Sequence, residues 1–556
     1  MIFDVPLVRY NEANTFSRRD CYSRLNDYIN GNSTKVCAIY GLRRTGKSTM
    51  MFQAMSDIGL DNSGYILCET GDNYGTLCQK IGEYIAQKKK AIFVDEITKI
   101  PTFLTSSASL ADYYSGTETK IVITGTDSLG LNLVTRGELF DRVESIHTTY
   151  ISYGEFSRLI KKTDIDDFIH YAGVLSHEDN ITERVFFDRS SASHYIDSAI
   201  SNNITNTFFN KRLPANFIHK YDKLIGLHNR NMLVPVITSI VEMYSGVITK
   251  DTLDFYFSQE KYSNIDVDSA LDLLEKHNIF VNRDNFTEDL DAQIVFALNS
   301  RRNIEGQIEE STVSQIKEYL ADLELFIKIP LIRYNFNNHK KEYTYETEEY
   351  IYQAGMKYCQ TKAIIDILNE TNDFSISPIE KNELCKKIEE DVKGQILETI
   401  VFSDLQRHLD NDRYDIFKMQ FAGDKDGEID VVIYDKIEES YYCFEIKHSD
   451  KIIKNQQKNL IYDPYFDILD KNFGNKKCVA VLYRGETNIS LQNGIKYLNV
   501  ENFLTEIYLS KTKSIDDVVK ACICNVTQSN RKSSDAEFII QDFQGVVSSL
   551  EDDYEK

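Results

Sequence analysis

The residues with the clearest chemical pattern form a glycine-framed loop near the start of the chain. The loop lies in KVCAIYGLRRTGKSTMMFQAM, between an apolar β-branched run and a helix-favouring stretch. Two glycines let such a backbone fold around an anion, so that its N–H groups face phosphates; Lys47 would reach the β- and γ-phosphates and the Ser48 hydroxyl would hold Mg²⁺. The residues predicted to bind nucleotide in this phosphate loop are Gly41, Arg44, Thr45, Gly46, Lys47, Ser48 and Thr49.

Two adjacent carboxylates follow an apolar strand in the segment KKKAIFVDEITKIP. Asp95 stands at the end of the strand, where it would complete a Mg²⁺ shell, and Glu96 would polarise a water molecule for attack on the γ-phosphate. A third apolar run, KIVITGTDS, leads into Thr126, which we predict to sense the γ-phosphate. ATP and Mg²⁺ are therefore the expected ligands of this part of the chain.

Two arginines in the segment TRGELFDRVESI are candidates for an arginine finger. Arg136 or Arg142 would stabilise charge on the transferred phosphoryl group, either in cis or toward a neighbouring subunit. Surface arginines on a solvated helix would give the same pattern, so both interpretations stay open.

A second group of charged residues is spread over a predicted helix and two predicted strands. Glu398 shares a helical stripe with apolar residues, where a carboxylate is costly to bury without a metal or a partner. Asp430 stands at the entry of the strand DGEIDVVIYDK, and Glu445 and Lys447 fall on one face of the strand YYCFEIKHS because strand side chains alternate. The carboxylates could hold Mg²⁺ or Mn²⁺, and the lysine could position or deprotonate water, as metal-assisted phosphodiester hydrolysis requires.

Three lysines follow this group at helical spacing. Lys451, Lys454 and Lys458 predict a basic stripe on a helix that begins near Asp450, beside the carboxylates, where a phosphate backbone would lie. A solvated helix face would show the same spacing.

The middle of the chain has the pattern of a winged helix-turn-helix. Its third helix, however, presents Asp266, Asp268, Asp272 and Glu275 against the single Lys276. A helix that reads DNA bases normally presents basic or amide side chains, and an acidic one would repel phosphates. We therefore favour a spacer role for this module over DNA reading.

The composition is that of a folded, acidic chain. Its net charge of −23 disfavours non-specific binding to nucleic acid or anionic membranes, although a local basic surface is compatible with it. The ten cysteines show no zinc-ligand spacing, the N-terminus lacks the pattern of a signal peptide, and the most apolar stretch, MLVPVITSIV, is shorter than the roughly 20 residues that span a bilayer. We expect a cytoplasmic protein with no membrane partner.

Several of these segments together resemble one known family. GLRRTGKST, IFVDEI, VITGTDS and DRVESIHTTYISYGEF are similar to the bacterial and archaeal AAA+-type ATPases whose C-terminal half carries a PD-(D/E)XK nuclease-like domain. The resemblance places the motif arginine of the family on Arg142 and the carboxylate–lysine set on Glu398, Asp430, Glu445 and Lys447. The segment TYISY lacks the proline of the family pattern, which leaves the start of the following helix open.

The resemblance and the patterns together predict an α/β multidomain chain: a phosphate-loop NTPase with a parallel, AAA+-like sheet, a helical lid, a winged helix and a C-terminal α/β restriction-endonuclease-like domain. The predicted domains are 1–164 (ATPase core), 165–225 (lid), 226–318 (winged helix-turn-helix), 319–390 (linker and start of the C-terminal domain), 391–510 (nuclease-like domain) and 511–556 (C-terminal helix and tail).

The predicted function is ATP hydrolysis coupled to a Mg²⁺-dependent DNA nuclease module, with a second Mg²⁺ or Mn²⁺ at the nuclease-like site. The alternative is an ATP-switched scaffold, or a DNA-binding protein, whose nuclease-like domain binds without cutting. The expected partners are ATP, DNA at the C-terminal domain, and a second copy of the chain or another protein.

Overall fold

The computed structural model describes most of the chain, which divides into two compact units. The N-terminal unit comprises residues 1–328 and 348–400, and the C-terminal unit comprises residues 329–347 and 401–556. The described residues are 1–114, 116–125, 130–131, 141–171, 174–175, 188–201, 221–229, 231–245, 310–323, 325–336, 343–370, 377–423, 426–486, 488–509 and 514–529.

A five-stranded parallel sheet forms the centre of the N-terminal unit. Its strands are β1 (Val36–Tyr40), β2 (Ser63–Leu67), β3 (Ala91–Asp95), β4 (Lys120–Thr124) and β5 (Val143–His147), in the order β2-β3-β4-β1-β5. Alternate residues of β1 enter different apolar clusters: Val36 and Ala38 join one, and Cys37 and Ile39 join the other. Both faces of the sheet are therefore covered, which explains why its strands read as continuous apolar runs. The predicted parallel α/β core is confirmed.

Helices surround this sheet and form a further helical layer. Their bounds are α1 (Leu7–Ala13), α2 (Tyr22–Asn30), α3 (Lys47–Ile58), α4 (Tyr74–Ala86), α5 (Phe103–Tyr114), α6 (Tyr153–Ile160), α7 (Ile165–Tyr171), α8 (Arg189–Tyr195), α9 (Asp222–Asn229), α10 (Leu233–Ser245), α11 (Glu310–Asp322) and α12 (Ala354–Glu370), with a π-helix at Ile196–Ser201. Residues of α8 to α12 share one apolar cluster. The described parts of the predicted lid are mainly helical, and its role stays a prediction. The predicted acidic helix and wing, within residues 246–309, lie outside the described residues.

A mixed eight-stranded sheet is the centre of the C-terminal unit. Its strands are β6 (Phe326–Asn335), β7 (Tyr343–Ile351), β8 (Tyr414–Ala422), β9 (Gly427–Asp435), β10 (Ser440–Lys447), β11 (Asn475–Tyr483), β12 (Ile489–Ser490) and β13 (Lys496–Asn499), in the order β12-β13-β11-β10-β9-β8-β6-β7. Neighbours β8, β9 and β10 are antiparallel, whereas β11 is parallel to β10. The helices of this part are α14 (Asp463–Phe473), α15 (Val500–Leu509) and α16 (Ile515–Ser529).

One long helix, α13 (Pro378–His408), runs unbroken through the division between residues 400 and 401. The helix begins at Pro378, where a proline costs no hydrogen bond because the first N–H groups of a helix have no intrahelical partner. The predicted boundary at 390/391 falls inside α13. The residues between α11 and α12, predicted as linker and start of the C-terminal domain, contain β6 and β7.

The lysine stripe is the other local prediction that the structure changes. Residues 454–457 form a single 3₁₀ turn, and the next α-helix begins at Asp463. The predicted helix from Asp450 is wrong, so the three lysines do not share the face of an α-helix. Among the described residues, no helix has both the length and the apolar character needed to cross a membrane.

Candidate functional site

The phosphate loop connects β1 to α3 and owes its shape to two glycines. Gly41 has φ +149°, and a Cβ atom there would lie 2.4 Å from Thr148 Oγ1, so no larger residue fits without a shift. Gly46, just before α3, has φ +89°, a left-handed conformation that glycine adopts without strain. The loop therefore leads directly into the N-terminus of α3, where backbone N–H groups attract anions.

Lys47 is the first residue of α3 and is buried against the loop. Its Nζ donates hydrogen bonds to the carbonyls of Gly41 and Leu42, both at 2.8 Å. Burial lowers the pKa of the Lys47 ammonium to about 8, while the carboxylates of Glu96 and Asp95 act in the opposite direction. The ammonium is thus held within the loop, at the place where phosphates would bind.

Asp95, the last residue of β3, is hydrogen-bonded to residues at the start of α3 and at the end of β4. Its carboxylate accepts hydrogen bonds from Ser48 Oγ at 3.1 Å and from Thr124 Oγ1 at 2.5 Å. Burial raises the pKa of the Asp95 carboxyl, and the hydrogen bonds from the two hydroxyls oppose that effect. The next residue, Glu96, has a left-handed backbone conformation, with φ +59°. Oxygen ligands at Ser48 and Asp95 suit Mg²⁺, which prefers hard donors.

An adjoining cavity of about 440 Å³ begins at the phosphate loop. Arg44, Gly46 and Thr49 line it on the loop side, and Phe16 and Met50 contribute apolar surface. The position and lining of the cavity suit the nucleoside part of a nucleotide whose phosphates lie in the loop.

A cluster of charged side chains lies on β9 and β10 of the C-terminal sheet. Lys447 Nζ lies 2.9 Å from Glu445 Oε2 and 3.3 Å from Asp430 Oδ2, so the predicted face-sharing of Glu445 and Lys447 is observed. Asp430 also accepts a hydrogen bond from the backbone N–H of Ile446 at 2.7 Å. Burial raises the pKa of Glu445 to about 8, and the negative charge of Asp430 adds to the effect.

Two residues that sequence reasoning missed complete this cluster. Glu428 has a carboxylate oxygen within 4.8 Å of one on Asp430. It lies two residues before Asp430 on β9, so the alternation of strand side chains was a signal that could have found it. Asn459 donates from Nδ2 to the Glu428 carbonyl at 2.7 Å and to Glu445 Oε1 at 3.3 Å, and no sequence pattern marked it.

Glu398 lies on α13 in the N-terminal unit, two residues before the last residue of that unit, Ile400. The next residues of the same helix belong to the C-terminal unit. Its predicted part in the metal site stays a prediction.

Comparison with known proteins identifies part of the chain. Residues 33–157 match the model of a family described as AAA domain. This region is similar to an AAA-type ATPase domain, and we call it the ATPase domain. It contains the phosphate loop, Asp95 and Glu96, and the match supports nucleotide binding and ATPase activity in this region. Residues 393–503 match a second model, described as a domain of unknown function (DUF4143). A search of curated proteins finds no match.

Several solved structures are similar to the chain at low identity. A DNA polymerase III gamma subunit-related protein from Thermotoga maritima is 12% identical, with 55% of this chain and 100% of that chain covered and a TM-score of 0.22. RuvB from the same organism is 11% identical, with coverages of 56% and 90% and a TM-score of 0.22. The ORC1 protein of Aeropyrum pernix, in complex with DNA, is 11% identical, with coverages of 64% and 92% and a TM-score of 0.20. These TM-scores are too low to define a shared overall fold.

The ATPase domain places Arg142 far from its own phosphate loop. The loop follows the last residue of β1. Arg142 immediately precedes β5, which runs parallel to β1 with its first residue opposite the first residue of β1. The loop and Arg142 therefore lie at opposite ends of these two strands. Val36 N–H donates to the Arg142 carbonyl at 3.2 Å, and the Arg142 side chain pairs with Asp112 at 3.2 Å. The in-cis role predicted as one alternative is wrong for Arg142, because a strand's length of roughly 15 Å separates it from the loop. Action toward a neighbouring subunit stays a prediction.

Two further predicted residues, Thr126 and Arg136, lie outside the described residues. Thr124 stands two positions before Thr126, and it is Thr124 that contacts Asp95 in the ATPase domain.

Proposed function

We propose that this protein couples ATP hydrolysis in its AAA-type ATPase domain to metal-dependent hydrolysis of DNA phosphodiesters by its C-terminal unit. The observation that carries the proposal is the position of Lys447 Nζ between Glu445 and Asp430, at 2.9 and 3.3 Å. A lysine beside buried carboxylates is the combination that positions water and stabilises charge at a phosphate.

In the ATPase domain, the backbone of the phosphate loop from Gly41 to Thr49 would hold the phosphates, with Thr45 in the loop and Arg44 beside the nucleoside cavity. Ser48 and Asp95 would hold Mg²⁺, and Glu96 would orient the attacking water. Thr126 remains the proposed γ-phosphate sensor. Arg142 is proposed to act in a neighbouring subunit of a homo-oligomer.

The donor set of the C-terminal cluster fits a hard divalent cation. Glu428, Asp430 and Glu445 offer only carboxylate oxygens, which Mg²⁺ and Mn²⁺ prefer over thiolate or imidazole ligands. Glu398 is the proposed further carboxylate, supplied by α13. A bound metal ion would polarise the scissile phosphate and lower the pKa of a water molecule.

The side chains of the cluster supply the rest of the proposed reaction. Lys447 would hold the attacking water by accepting or donating a proton at Nζ, and its charge would oppose the charge that builds on the phosphate oxygens. Asn459 would keep Glu445 oriented through its hydrogen bond to Oε1. A net acidic chain requires that DNA be held by local basic residues, and the exposed Lys451, Lys454 and Lys458 are the proposed ones.

Supercoiled plasmid incubated with the protein, ATP and Mn²⁺ or Mg²⁺ tests the proposal. We expect nicked or linear product from the wild type, none from Lys447→Ala, and unchanged ATP turnover in that variant. Lys477→Ala, which removes a lysine paired with Glu438 elsewhere in the unit, should cut normally. If the wild type leaves DNA and RNA substrates whole, the protein is instead an ATP-switched scaffold or a DNA-binding protein whose nuclease-like unit does not cut.

A further inference from the structure

The peptide group between Thr45 and Gly46 is fixed by a hydrogen bond from one buried arginine, Arg19. Arg19 Nη1 donates a hydrogen bond to the Thr45 carbonyl and another, at 3.1 Å, to the Thr148 carbonyl. In a planar trans peptide the C=O and the following N–H point in opposite directions. Fixing the Thr45 carbonyl toward Arg19 therefore directs the Gly46 N–H away from Arg19, to the opposite side of the peptide.

Arg19 is fully engaged by acceptors. Nε donates to Glu155 Oε1 at 2.7 Å, and Nη2 donates to the Tyr150 carbonyl at 2.7 Å and to Glu155 Oε2 at 3.3 Å. With the two bonds of Nη1, all five N–H groups of the guanidinium have partners. Arg19 and Glu155 are only 5% and 4% exposed, so their charges are withdrawn from solvent and depend on each other.

Apart from the Thr45 carbonyl, the acceptors come from the segment that follows β5, and this segment makes further hydrogen bonds to the loop. Thr148 Oγ1 lies 2.7 Å from Thr45 Oγ1, and Thr149 Oγ1 accepts a hydrogen bond from the Leu42 N–H at 3.1 Å. Arg19 thus joins the phosphate loop to residues 148–155 by hydrogen bonds whose directions are fixed by its planar group.

We propose that Arg19 is a positioning residue for ATP binding, which fixes the orientation of the phosphate loop through the Thr45 carbonyl. The proposal rests on the ATP site described above. Fold stability alone does not require this arrangement, because a buried ion pair contributes little compared with an apolar pair of similar volume. The five directed hydrogen bonds instead specify one loop conformation.

Three variants separate loop positioning from fold stability. Arg19→Met leaves Glu155 buried and uncompensated, so both the melting temperature and ATP affinity should fall. Glu155→Gln removes the counter-charge but leaves the acceptors Thr45, Thr148 and Tyr150 for Arg19, so the melting temperature should fall with ATP affinity nearly kept. The double variant Arg19→Met/Glu155→Gln leaves no buried charge and keeps an acceptor oxygen for the Asp20 N–H, which now bonds Glu155 at 2.7 Å.

The double variant is decisive. We expect its melting temperature to recover above that of Arg19→Met, while its dissociation constant for a fluorescent ATP analogue stays about tenfold or more above the wild-type value, since charged hydrogen bonds that order the loop are lost. Recovery of affinity together with stability would overturn the proposal and leave Arg19 a purely structural residue.

The neighbouring Arg18 provides the matched control. Arg18 is half exposed and pairs with Asp57 at 2.5 Å, away from the loop carbonyls. Arg18→Met should keep wild-type affinity, and Arg19→Lys should bind ATP weakly because an ammonium cannot reach the same acceptors. Full affinity in Arg19→Lys would also overturn the proposal. Absence of ATP binding by the wild type would instead contradict the ATPase function itself.

Discussion

The phosphate-loop site and the C-terminal carboxylate cluster handle buried charge in different ways. In the loop, the charged groups are satisfied largely by backbone and hydroxyl groups: Lys47 by two carbonyls, and Asp95 by Ser48 and Thr124. In the cluster, Lys447 is satisfied by two carboxylates, and Glu445 lies beside Asp430. Removing one charge should therefore disturb the cluster's other charges, whereas in the loop it should mainly remove one contact to the ligand.

The substitution with the largest expected effect weakens the phosphate-loop site and leaves the C-terminal cluster intact. Lys47→Ala removes the ammonium held at the phosphate position, so affinity for ATP should fall by about a hundredfold or more, as charged hydrogen bonds to the phosphates are lost. Isothermal titration calorimetry with ATP measures the loss. Mn²⁺ binding by the C-terminal cluster should not change, and Lys80→Ala, on α4, should bind ATP normally.

Glu428→Gln tests whether the residue that the sequence did not indicate belongs to the metal site. Loss of one carboxylate should weaken Mn²⁺ binding at the cluster by about tenfold to a hundredfold, the range found when a metal site loses one supporting group. Glutamine keeps the size of the side chain and its bond with Gln420. Glu438→Gln, which alters an acid paired with Arg413, serves as the control, and equal Mn²⁺ affinity in both variants would remove Glu428 from the site.

The pH dependence of metal binding distinguishes the cluster from an ordinary group of carboxylates. Because the pKa of Glu445 is raised to about 8, its carboxyl carries a proton below that pH, and the metal must displace it. Mn²⁺ affinity should rise with pH by up to about tenfold per unit and level off above pH 8. Calorimetry in buffers of different ionisation enthalpy measures the proton release, and binding that does not vary between pH 6 and 8 would contradict the expectation.

Thr124→Val, at the phosphate-loop site, should give the smallest change in activity. The variant keeps the shape of the side chain but removes the hydrogen bond to Asp95, so ATP turnover should fall by about fivefold, corresponding to roughly 1 kcal/mol. Steady-state phosphate release measures it. Thr117→Val, located before β4 and bonded to the Tyr114 carbonyl, should turn over at the wild-type rate.

The contrast between the sites also explains what the sequence could predict. The loop residues are contiguous, and glycine spacing with flanking apolar runs specifies strand, loop and helix locally. Strand alternation is equally local and places Glu445 and Lys447 on one face, and Asp430 is indicated by its position at the entry of a strand. Arg19 and Glu155 could not be paired in this way, since they are 136 positions apart and meet only in the folded chain.

Other differences have physical causes that sequence periodicity does not reveal. The lysines after β10 had helical spacing, yet the chain there makes one 3₁₀ turn, in which the Gln456 side chain accepts a hydrogen bond from the Ile453 N–H. The segment predicted as linker and start of the C-terminal domain supplies β6, whose partner β8 lies 87 positions away, from Leu331 to Lys418, so local patterns could not identify the pairing. Long-range pairing of this kind depends on tertiary packing.

Because β6 and β7 belong to the C-terminal sheet, the C-terminal unit is difficult to express as a separate fragment. A fragment that begins at residue 401 would contain β8 to β13 but would lose β6, one of the two strands that pair with β8. The open edge of β8 would expose unpaired N–H and C=O groups, and such edges promote association between copies. The C-terminal unit therefore cannot be expressed in native form by one truncation: residues 329–347 must be supplied with it, on the same polypeptide or as a second fragment.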